Sequence, residues 1–185
     1  MRIIAGKNKS RRLLTLEGMN TRPMMDRMKE SIFNTIGPYF EKDKVLDLFG
    51  GSGALSLESL SRGASHAWIV EANREAMRVI KENISSLNEE SETTLYNFDY
   101  KVALNIFKNE KRKFDIIFLD PPYKLNIIEE IIDFIVTNDM LEEKAIIVCQ
   151  YVRKNYHPIE TNILEIRKNY TYASSEVCIY QKKEV

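Results

Sequence analysis

The chain lacks any run of about 20 apolar residues, the length that a membrane-spanning helix requires. No signal peptide opens the chain. Its 185 residues are the length of one ordinary domain, and nothing in them demands more than a monomer. We therefore expect a cytoplasmic, monomeric protein made of a single domain, with no membrane partner.

Residues that form disulfides or bind metals are also scarce. The chain has two cysteines, Cys149 and Cys178, and two histidines, His66 and His157. Both cysteines fall in apolar, strand-like runs, and neither has the spacing of a metal ligand. The sequence thus predicts buried, reduced thiols and no metal site.

The chain has no net charge, but its cations are unevenly distributed. Residues 1–29 contain eight Lys and Arg side chains against two acidic ones. Apolar residues on both sides of Gly6–Ser10 indicate a basic β-hairpin within residues 1–22. Clustered cations displace counterions from nucleic-acid phosphates, so we interpret this hairpin as an RNA-binding arm; the alternative is a solvated terminus. The candidate RNA-binding residues are Arg2, Lys7, Lys9, Arg11, Arg12 and Arg27.

Two common phosphate-binding motifs are incomplete in this sequence. The register Gly51-x-Gly53-x-x-Ser56 lacks the third glycine of a dinucleotide fingerprint, and no Lys-Ser or Lys-Thr pair follows, as a Walker motif requires. The glycines nevertheless connect an apolar, strand-like run that ends near Asp47 to a helical pattern. Such a turn lets the backbone approach a ligand closely and points helix N–H groups at it. Asp47 is suited to accept hydrogen bonds from a cationic amine.

Two more acidic residues end predicted strands. Glu71 lies about 20 residues after the glycines, where an acid reaches a ribose diol in this architecture. Asp99 follows a short strand candidate and is suited to accept a hydrogen bond from an adenine amino group. The alternatives are a solvated carboxylate for Glu71 and a helix N-cap for Asp99, and the N-cap is compatible with adenine binding.

The tetrapeptide Asp120-Pro121-Pro122-Tyr123 abruptly ends the apolar run 114–119. The prolines donate no N–H to a sheet, so we expect the carbonyls of Asp120 and Pro121 to stay free. A carboxylate, a carbonyl and an aromatic ring suit a planar base with an exocyclic amino group, because the oxygens accept its hydrogens and the ring stacks on its face. The alternative is a simple turn ended by proline.

Strand and helix signals alternate along most of the chain, which predicts a doubly wound parallel sheet with ligands beyond the carboxyl ends of its strands. The last two strands have no helix between them and should pair antiparallel. Strands are predicted near 45–49, 67–71, 93–97, 114–119, 144–149, 162–170 and 176–181, and helices near 24–39, 53–62, 73–87, 100–110 and 126–137.

Taken in order, the motif residues resemble those of the S-adenosylmethionine-dependent amino methyltransferases. More narrowly, the whole chain resembles the bacterial 16S ribosomal RNA guanine-N2 methyltransferase family. The segments that carry the narrower resemblance are Arg2–Gly6, Thr21–Pro23, Asp26–Arg27 with Glu30, Phe33–Asn34, Phe49–Leu55, Leu60–Ala64 and Phe118–Tyr123.

This resemblance implies an α/β, Rossmann-like class I methyltransferase fold. Its seven-stranded sheet is mostly parallel with an antiparallel last strand, and the basic β-hairpin is an N-terminal extension. Residues 1–22 are then the arm of the single methyltransferase domain 1–185, and residues 23–185 are its catalytic α/β core.

The resemblance also implies a cofactor, S-adenosyl-L-methionine, and a site for it. The implied cofactor-binding residues are Asp47, Phe49, Gly50, Gly51, Ser52, Gly53, Glu71, Ala72 and Asp99, with Arg22 and Pro23 near the cofactor's other side. The implied catalytic residues are Asp120, Pro121, Pro122 and Tyr123.

The implied reaction is methyl transfer to the exocyclic N2 amino group of a guanine in 16S ribosomal RNA, free or in an assembling small subunit. One alternative is an amino methyltransferase that acts on adenine N6 or cytosine N4 of RNA or DNA. Another is a non-catalytic RNA-binding module, which needs only the arm. A nicotinamide oxidoreductase shares the sheet and Glu71 but leaves the tetrapeptide at 120–123 unexplained.

The sequence departs from the family pattern at several positions. The family usually has Thr at Met24 and Ala at Gly50, and often Gly at Ser56. An acidic residue followed by His is common near Gln150, and a Tyr-Gly-x-Thr element is replaced around Ala173. The role of the regions near residues 24, 150 and 172 in substrate binding is therefore left open.

Overall fold

A computed structural model of the chain describes residues 1–16, 26–122 and 124–184. Over these residues the helices are α1 (Asp26–Ile36), α2 (Ala54–Ser61), α3 (Arg74–Leu87), α4 (Tyr100–Asn109) and α5 (Ile128–Thr137). The strands are β1 (Lys44–Asp47), β2 (His66–Val70), β3 (Thr93–Tyr96), β4 (Phe114–Leu119), β5 (Leu141–Tyr151), β6 (Leu164–Thr171) and β7 (Glu176–Lys182). None of the described helices combines the length and apolar character needed to cross a membrane.

The strands form one seven-stranded sheet in the order β3-β2-β1-β4-β5-β7-β6. Neighbours from β3 to β5 are parallel, whereas β7 runs antiparallel to both β5 and β6. The predicted fold class, a mostly parallel α/β sheet with an antiparallel last strand, is confirmed.

Helices cover both faces of the sheet, so its central strands are buried on both sides and read as continuous apolar runs. Alternate residues of β4 point to opposite faces. Ile116 and Phe118 pack in a cluster with residues of α1, α2 and α3, whereas Ile117 and Leu119 pack with residues of α4 and α5.

Most predicted boundaries lie within two residues of the observed ones, but β5 begins earlier than predicted. The first four residues of this strand, Leu141-Glu142-Glu143-Lys144, contain too many charged side chains to form an apolar run, so the sequence does not identify them as part of the strand. Leu141 nevertheless pairs with Phe114, and the register shifts before the next pair, Ile116 with Ile146, because β5 contains extra residues there. The predicted start of the first helix, at residue 24, lies outside the described residues.

Residues 1–16, the described part of the N-terminal arm, fold back on themselves as predicted. One antiparallel bridge joins Arg2 to Arg12, and the Leu13 N–H donates to the Met1 carbonyl at 2.9 Å. The turn lies in close contact with the end of α2. A Cβ atom added to Gly6 would lie only 1.7 Å from the Ser61 carbonyl oxygen. Gly6 also has a positive φ of 84°. Glycine is therefore required at this contact.

A buried cluster of charges fixes the arm to the helices behind it. The Glu58 carboxylate, on α2, lies 3.0 Å from Lys29 Nζ and 2.7 Å from Arg62 Nε, and all three side chains are buried. The same carboxylate accepts the backbone N–H groups of Ile4 at 2.8 Å and Ala5 at 3.0 Å. Lys29 therefore belongs to the core, although the sequence counts it among the cations of the basic N-terminal region.

We expect Glu58→Ala to lower the free energy of unfolding by about 3–5 kcal/mol, because it leaves Lys29 and Arg62 charged and unpaired in the interior. Urea unfolding at pH 7 measures the loss. Glu110→Ala, which removes the partner of Arg112 at the surface, is the matched control and should cost less than about 1 kcal/mol. Equal losses for the two variants would contradict a structural role for the cluster.

Candidate active site

The four acidic residues predicted at strand ends lie along one edge of the sheet. Asp47 is the last residue of β1, and Glu71, Asp99 and Asp120 follow β2, β3 and β4. Because these strands are parallel neighbours, their carboxyl ends meet at the same edge. All four residues line a single cavity of about 370 Å³. This volume falls in the usual range for a small-molecule site.

Most of the predicted site residues are brought together at this cavity. Its walls include Asp47, Phe49, Gly50, Gly51, Ser52, Glu71, Ala72, Asp99, Asp120, Pro121 and Pro122. Gly53, the N-cap residue of α2, directly follows Ser52 of this wall. The predicted residues Arg22, Pro23 and Tyr123 lie outside the described residues, and their roles stay predictions.

The glycine turn after β1 depends on backbone conformations that favour glycine. Gly51 and Gly53 have φ values of 58° and 78°. Gly50 is needed for space instead, since an added Cβ would lie 2.5 Å from Ile69 Cγ2. This contact explains the departure from the family's usual alanine, because Ile69 occupies the room that a methyl group would take.

Glu71 holds the glycine turn against β2. Its carboxylate accepts the N–H of Gly51 at 2.9 Å and the N–H of Asn73 at 2.8 Å. The Gly50 N–H in turn donates to the Val70 carbonyl at 2.8 Å. The turn and the acid predicted to bind a ribose therefore form one hydrogen-bonded unit.

Asp99 performs the predicted N-cap role. Its side chain accepts the N–H of Lys101 at 2.9 Å at the start of α4. The residue is exposed and lies on the cavity wall between Phe98 and Tyr100, so its remaining acceptor capacity faces the cavity.

Asp47 and Asp120 are two carboxyl groups in a poorly solvated place. Burial raises the pKa of Asp47 to about 7, and the nearby Glu71 carboxylate also raises it. The hydrogen bond from Ser56 lowers this pKa but does not offset the effect of burial. Burial, and after it the neighbouring Asp47 carboxylate, raise the pKa of Asp120 to about 7. A cation placed between these groups would favour their charged forms.

The structure adds residues that the sequence interpretation missed. Ser56 Oγ donates to Asp47 Oδ2 at 2.9 Å, so this departure from the family pattern orients an acid of the site. Met1, Thr15 and Leu16 of the arm also line the cavity. The sequence shows Ser56 only as a departure from glycine and does not reveal its contact with Asp47. No local pattern indicates that the arm residues line the cavity.

The departures near residues 150 and 173 lie in different surroundings. Gln150 is buried at the end of β5 and lines a small cleft with Pro121 and Leu125, next to the main cavity. Ala173 is exposed in the turn between β6 and β7. Met24 lies outside the described residues.

The candidate RNA-binding residues all lie on the surface, but several also have partners within the protein. Arg2 pairs with Asp26 at 2.9 Å, Lys7 pairs with Glu89 at 2.9 Å, and Arg11 donates to the Ser86 carbonyl. Among the residues that the structure describes, Lys9, Arg12 and Arg27 are the exposed cations of the set that form no such pairing.

The cavity suits the expected cofactor, S-adenosylmethionine. Its acids complement the positive charges of that molecule, the glycine turn admits a ligand close to the backbone, and Glu71 stands where a ribose acceptor is expected. Within the residues described, no group of three His, Cys, Asp or Glu side chains is arranged to hold a metal ion.

Comparisons with known proteins agree with this arrangement. A family model described as Conserved hypothetical protein 95 matches residues 1–181. YlbH of Bacillus subtilis (strain 168) is 39% identical over 183 residues, which cover 99% of this chain and 100% of that protein. A Haemophilus influenzae protein named Ribosomal RNA small subunit methyltransferase D is 35% identical over 152 residues, 81% of this chain and 78% of that protein.

Solved structures show the same fold. The yhhF protein from Escherichia coli superposes with a TM-score of 0.85 at 29% identity, covering 100% of this chain and 99% of that one. SMU.776, solved in complex with SAH, has a TM-score of 0.68 at 13% identity and covers 83% of this chain and 49% of that one.

The raised pKa of Asp47 predicts how stability depends on pH. The folded protein keeps this proton up to about pH 7, whereas the unfolded chain loses it near pH 4, so stability falls as pH rises through this window. Asp47→Asn carries no such charge, so we expect it to gain about 2–3 kcal/mol relative to wild type between pH 5 and pH 8. Urea unfolding without cofactor at both pH values measures the gain.

Asp139→Asn is the control for this experiment. Lys113 lowers the pKa of Asp139, so that side chain is ionised at both pH values and its substitution should shift stability equally at each. A change with pH no larger for Asp47→Asn than for Asp139→Asn would contradict the desolvated state of Asp47.

Proposed function

The chain belongs to the family described as Conserved hypothetical protein 95 and is an S-adenosylmethionine-dependent methyltransferase; we propose that it methylates the exocyclic N2 amino group of a guanine in small-subunit (16S) ribosomal RNA. The resemblance found in the sequence is thereby confirmed at the level of the family. We further propose that the enzyme works in the cytoplasm as a monomer, with residues 1–22 as the arm of its single catalytic domain.

The single observation that carries the proposal is the position of Asp120. This carboxyl lies at the end of β4, in the same cavity as the glycine turn and Glu71. A group that binds the amine of a base is therefore next to the groups suited to a nucleoside cofactor. Such adjacency is what transfer between two bound molecules requires.

Different residues around the cavity are placed to bind different parts of the cofactor. Glu71 is placed for the ribose hydroxyls, Asp99 for the adenine, and the segment from Asp47 to Gly53 for the methionine part. When bound, S-adenosylmethionine supplies a methyl group activated on a sulfonium. Met1, Thr15 and Leu16 line the cavity on the side of the arm.

The exocyclic amine of guanine is a poor nucleophile because its lone pair is delocalised into the ring. Hydrogen bonds from this amine to the Asp120 carboxylate and the Pro121 carbonyl favour a pyramidal nitrogen with its lone pair free. The carboxylate also stabilises the positive charge that develops on the nitrogen. After transfer, the surplus proton of the cationic nitrogen passes to the Asp120 carboxylate and then to solvent, so no strong base is needed beforehand.

Backbone groups next to Asp120 support an acceptor site at this position. Pro121 is buried, Pro122 is exposed, and the Pro122 carbonyl accepts the Leu125 N–H at 2.9 Å. We predict from the sequence that Tyr123 stacks on the target base, which is worth about 1–3 kcal/mol. The base must lie in a loop or leave its helix to reach this site.

The arm supports RNA as the substrate. Lys9 and Arg12 of the arm, with Arg27 of α1, are exposed cations suited to contact phosphates, and residues 15 and 16 of the same arm line the cavity. The curated relative from Haemophilus influenzae is named for small-subunit ribosomal RNA, and we extend that substrate to this chain.

The test offers labelled S-adenosylmethionine with unmodified small ribosomal subunits, naked 16S RNA and duplex DNA, followed by digestion to nucleosides. We expect label in N2-methylguanosine from a ribosomal substrate only. Label in N6-methyladenosine or N4-methylcytidine would replace the proposal with its closest alternative. No label from any substrate would favour a non-catalytic RNA-binding module.

In the same assay, Asp120→Ala should lower kcat by about 10²–10³-fold, because it removes the acceptor of the amine and of the developing charge. Binding of S-adenosylhomocysteine, which lacks the sulfonium charge, should change by less than about twofold in calorimetry. Asp133→Ala, on the exposed face of α5, serves as the control and should leave both values unchanged. Wild-type turnover in Asp120→Ala would discard the mechanism.

A further inference from the structure

One buried amide joins the arm to the cofactor turn. Asn83 lies on α3 and is almost fully buried, at 1% exposure. Its Oδ1 accepts the Leu14 N–H at 2.7 Å, and its Nδ2 donates to the Leu14 carbonyl at 3.0 Å and to the Ser52 carbonyl at 2.9 Å. The side chain thus bonds the backbone of two segments that are distant in sequence.

Asn83 is a polar residue on the buried face of α3. The buried stripe of the helix is otherwise formed by Ala76, Met77, Ile80, Ile84 and Leu87. Burying an amide among apolar residues costs free energy unless its hydrogen bonds are made. Here the bonds are made only while the arm and the turn are both in place.

One partner of Asn83 lines the cofactor cavity, and the other directly precedes two residues that do. Ser52 lines the cavity on the side of the glycine turn, and Thr15 and Leu16, which directly follow Leu14, line it on the side of the arm. Any change in the seating of Leu14 therefore alters the cavity, and a ligand that orders the turn favours the seated arm.

The first half of the arm is held by other means. Glu58 accepts the N–H groups of Ile4 and Ala5, and Ser61 Oγ accepts the Asn8 N–H at 2.9 Å. These contacts lie on α2 and do not involve Asn83. The arm therefore has one anchor independent of the cofactor turn and one that is shared with it.

We propose that Asn83 is a positioning residue that couples cofactor binding to the seating of arm residues 13–16. The inference rests on the cofactor site described above, and its consequence for RNA rests on the proposed function. Because coupling between sites is reciprocal, RNA that holds the arm in place strengthens cofactor binding by the same factor by which the cofactor strengthens RNA binding.

The test measures amide hydrogen exchange by NMR on the full chain, with and without saturating S-adenosylhomocysteine. In wild type we expect the cofactor product to slow exchange of the Leu14 amide. In Asn83→Ala this slowing should be lost, and affinity for S-adenosylhomocysteine should fall about two- to tenfold. Asn83→Gln, which keeps the amide, should restore part of the slowing.

Two internal controls separate coupling from loss of structure. The Ile4 and Ala5 amides, held by Glu58, should stay protected in every variant and report that α2 and the arm remain folded. Asn138→Ala removes an amide that donates to the Phe134 carbonyl at the end of α5, and it should leave the response at Leu14 unchanged.

The proposal is overturned if saturating S-adenosylhomocysteine leaves exchange at Leu14 unchanged in wild type, or slows it equally in Asn83→Ala. Either result leaves the proposed methyl transfer intact, because product analysis tests that reaction separately. Conversely, an absence of guanine methylation would refute the proposed function without affecting the exchange result.

Discussion

Parallel pairing of β1 with β2 on one side and β4 on the other is the constraint on which the site depends. Asp47 lies opposite Ile69 of β2 and Phe118 of β4, so the chain segments that follow these strands emerge side by side. The glycine turn, Glu71 and Asp120 meet for this reason although they are far apart in sequence. The proposed cofactor half and acceptor half of the cavity are thus both positioned by one sheet register.

The same arrangement has a cost in stability. Asp47 is buried and Asp120 is half-buried, and the Asp47 carboxylate lies close enough to raise the pKa of Asp120. A cationic ligand between them relieves that repulsion and stabilises the charged forms. The site is therefore complementary to positive charge, as the proposed reaction requires for a bound sulfonium and for an amine that becomes cationic during transfer.

The sequence was sufficient where local patterns determine structure. Apolar runs ended by an acid or by proline predicted β1, β2 and β4 and the acids at their carboxyl ends, because strand ends converge in parallel sheets. Asn83 escaped prediction because its partners are backbone atoms of remote segments, and Lys29 was counted with the surface cations because its burial depends on Glu58. Thr15 and Leu16 of the arm line the cavity because of tertiary packing, which no local sequence pattern predicts.

The most direct measurement is calorimetry of S-adenosylmethionine binding at pH 6.5 in buffers of different ionisation enthalpy, which counts the protons exchanged on binding. Burial raises the pKa of Asp47 and Asp120 to about 7, so most of these groups are protonated at this pH in the free protein. Under the proposed binding mode, with the cation of the methyl donor beside them, we expect release of about one proton per cofactor, and less in Asp47→Asn. Binding without proton release, or equal release in the variant, would contradict a site in which desolvated carboxyl groups meet the positive charge of the methyl donor.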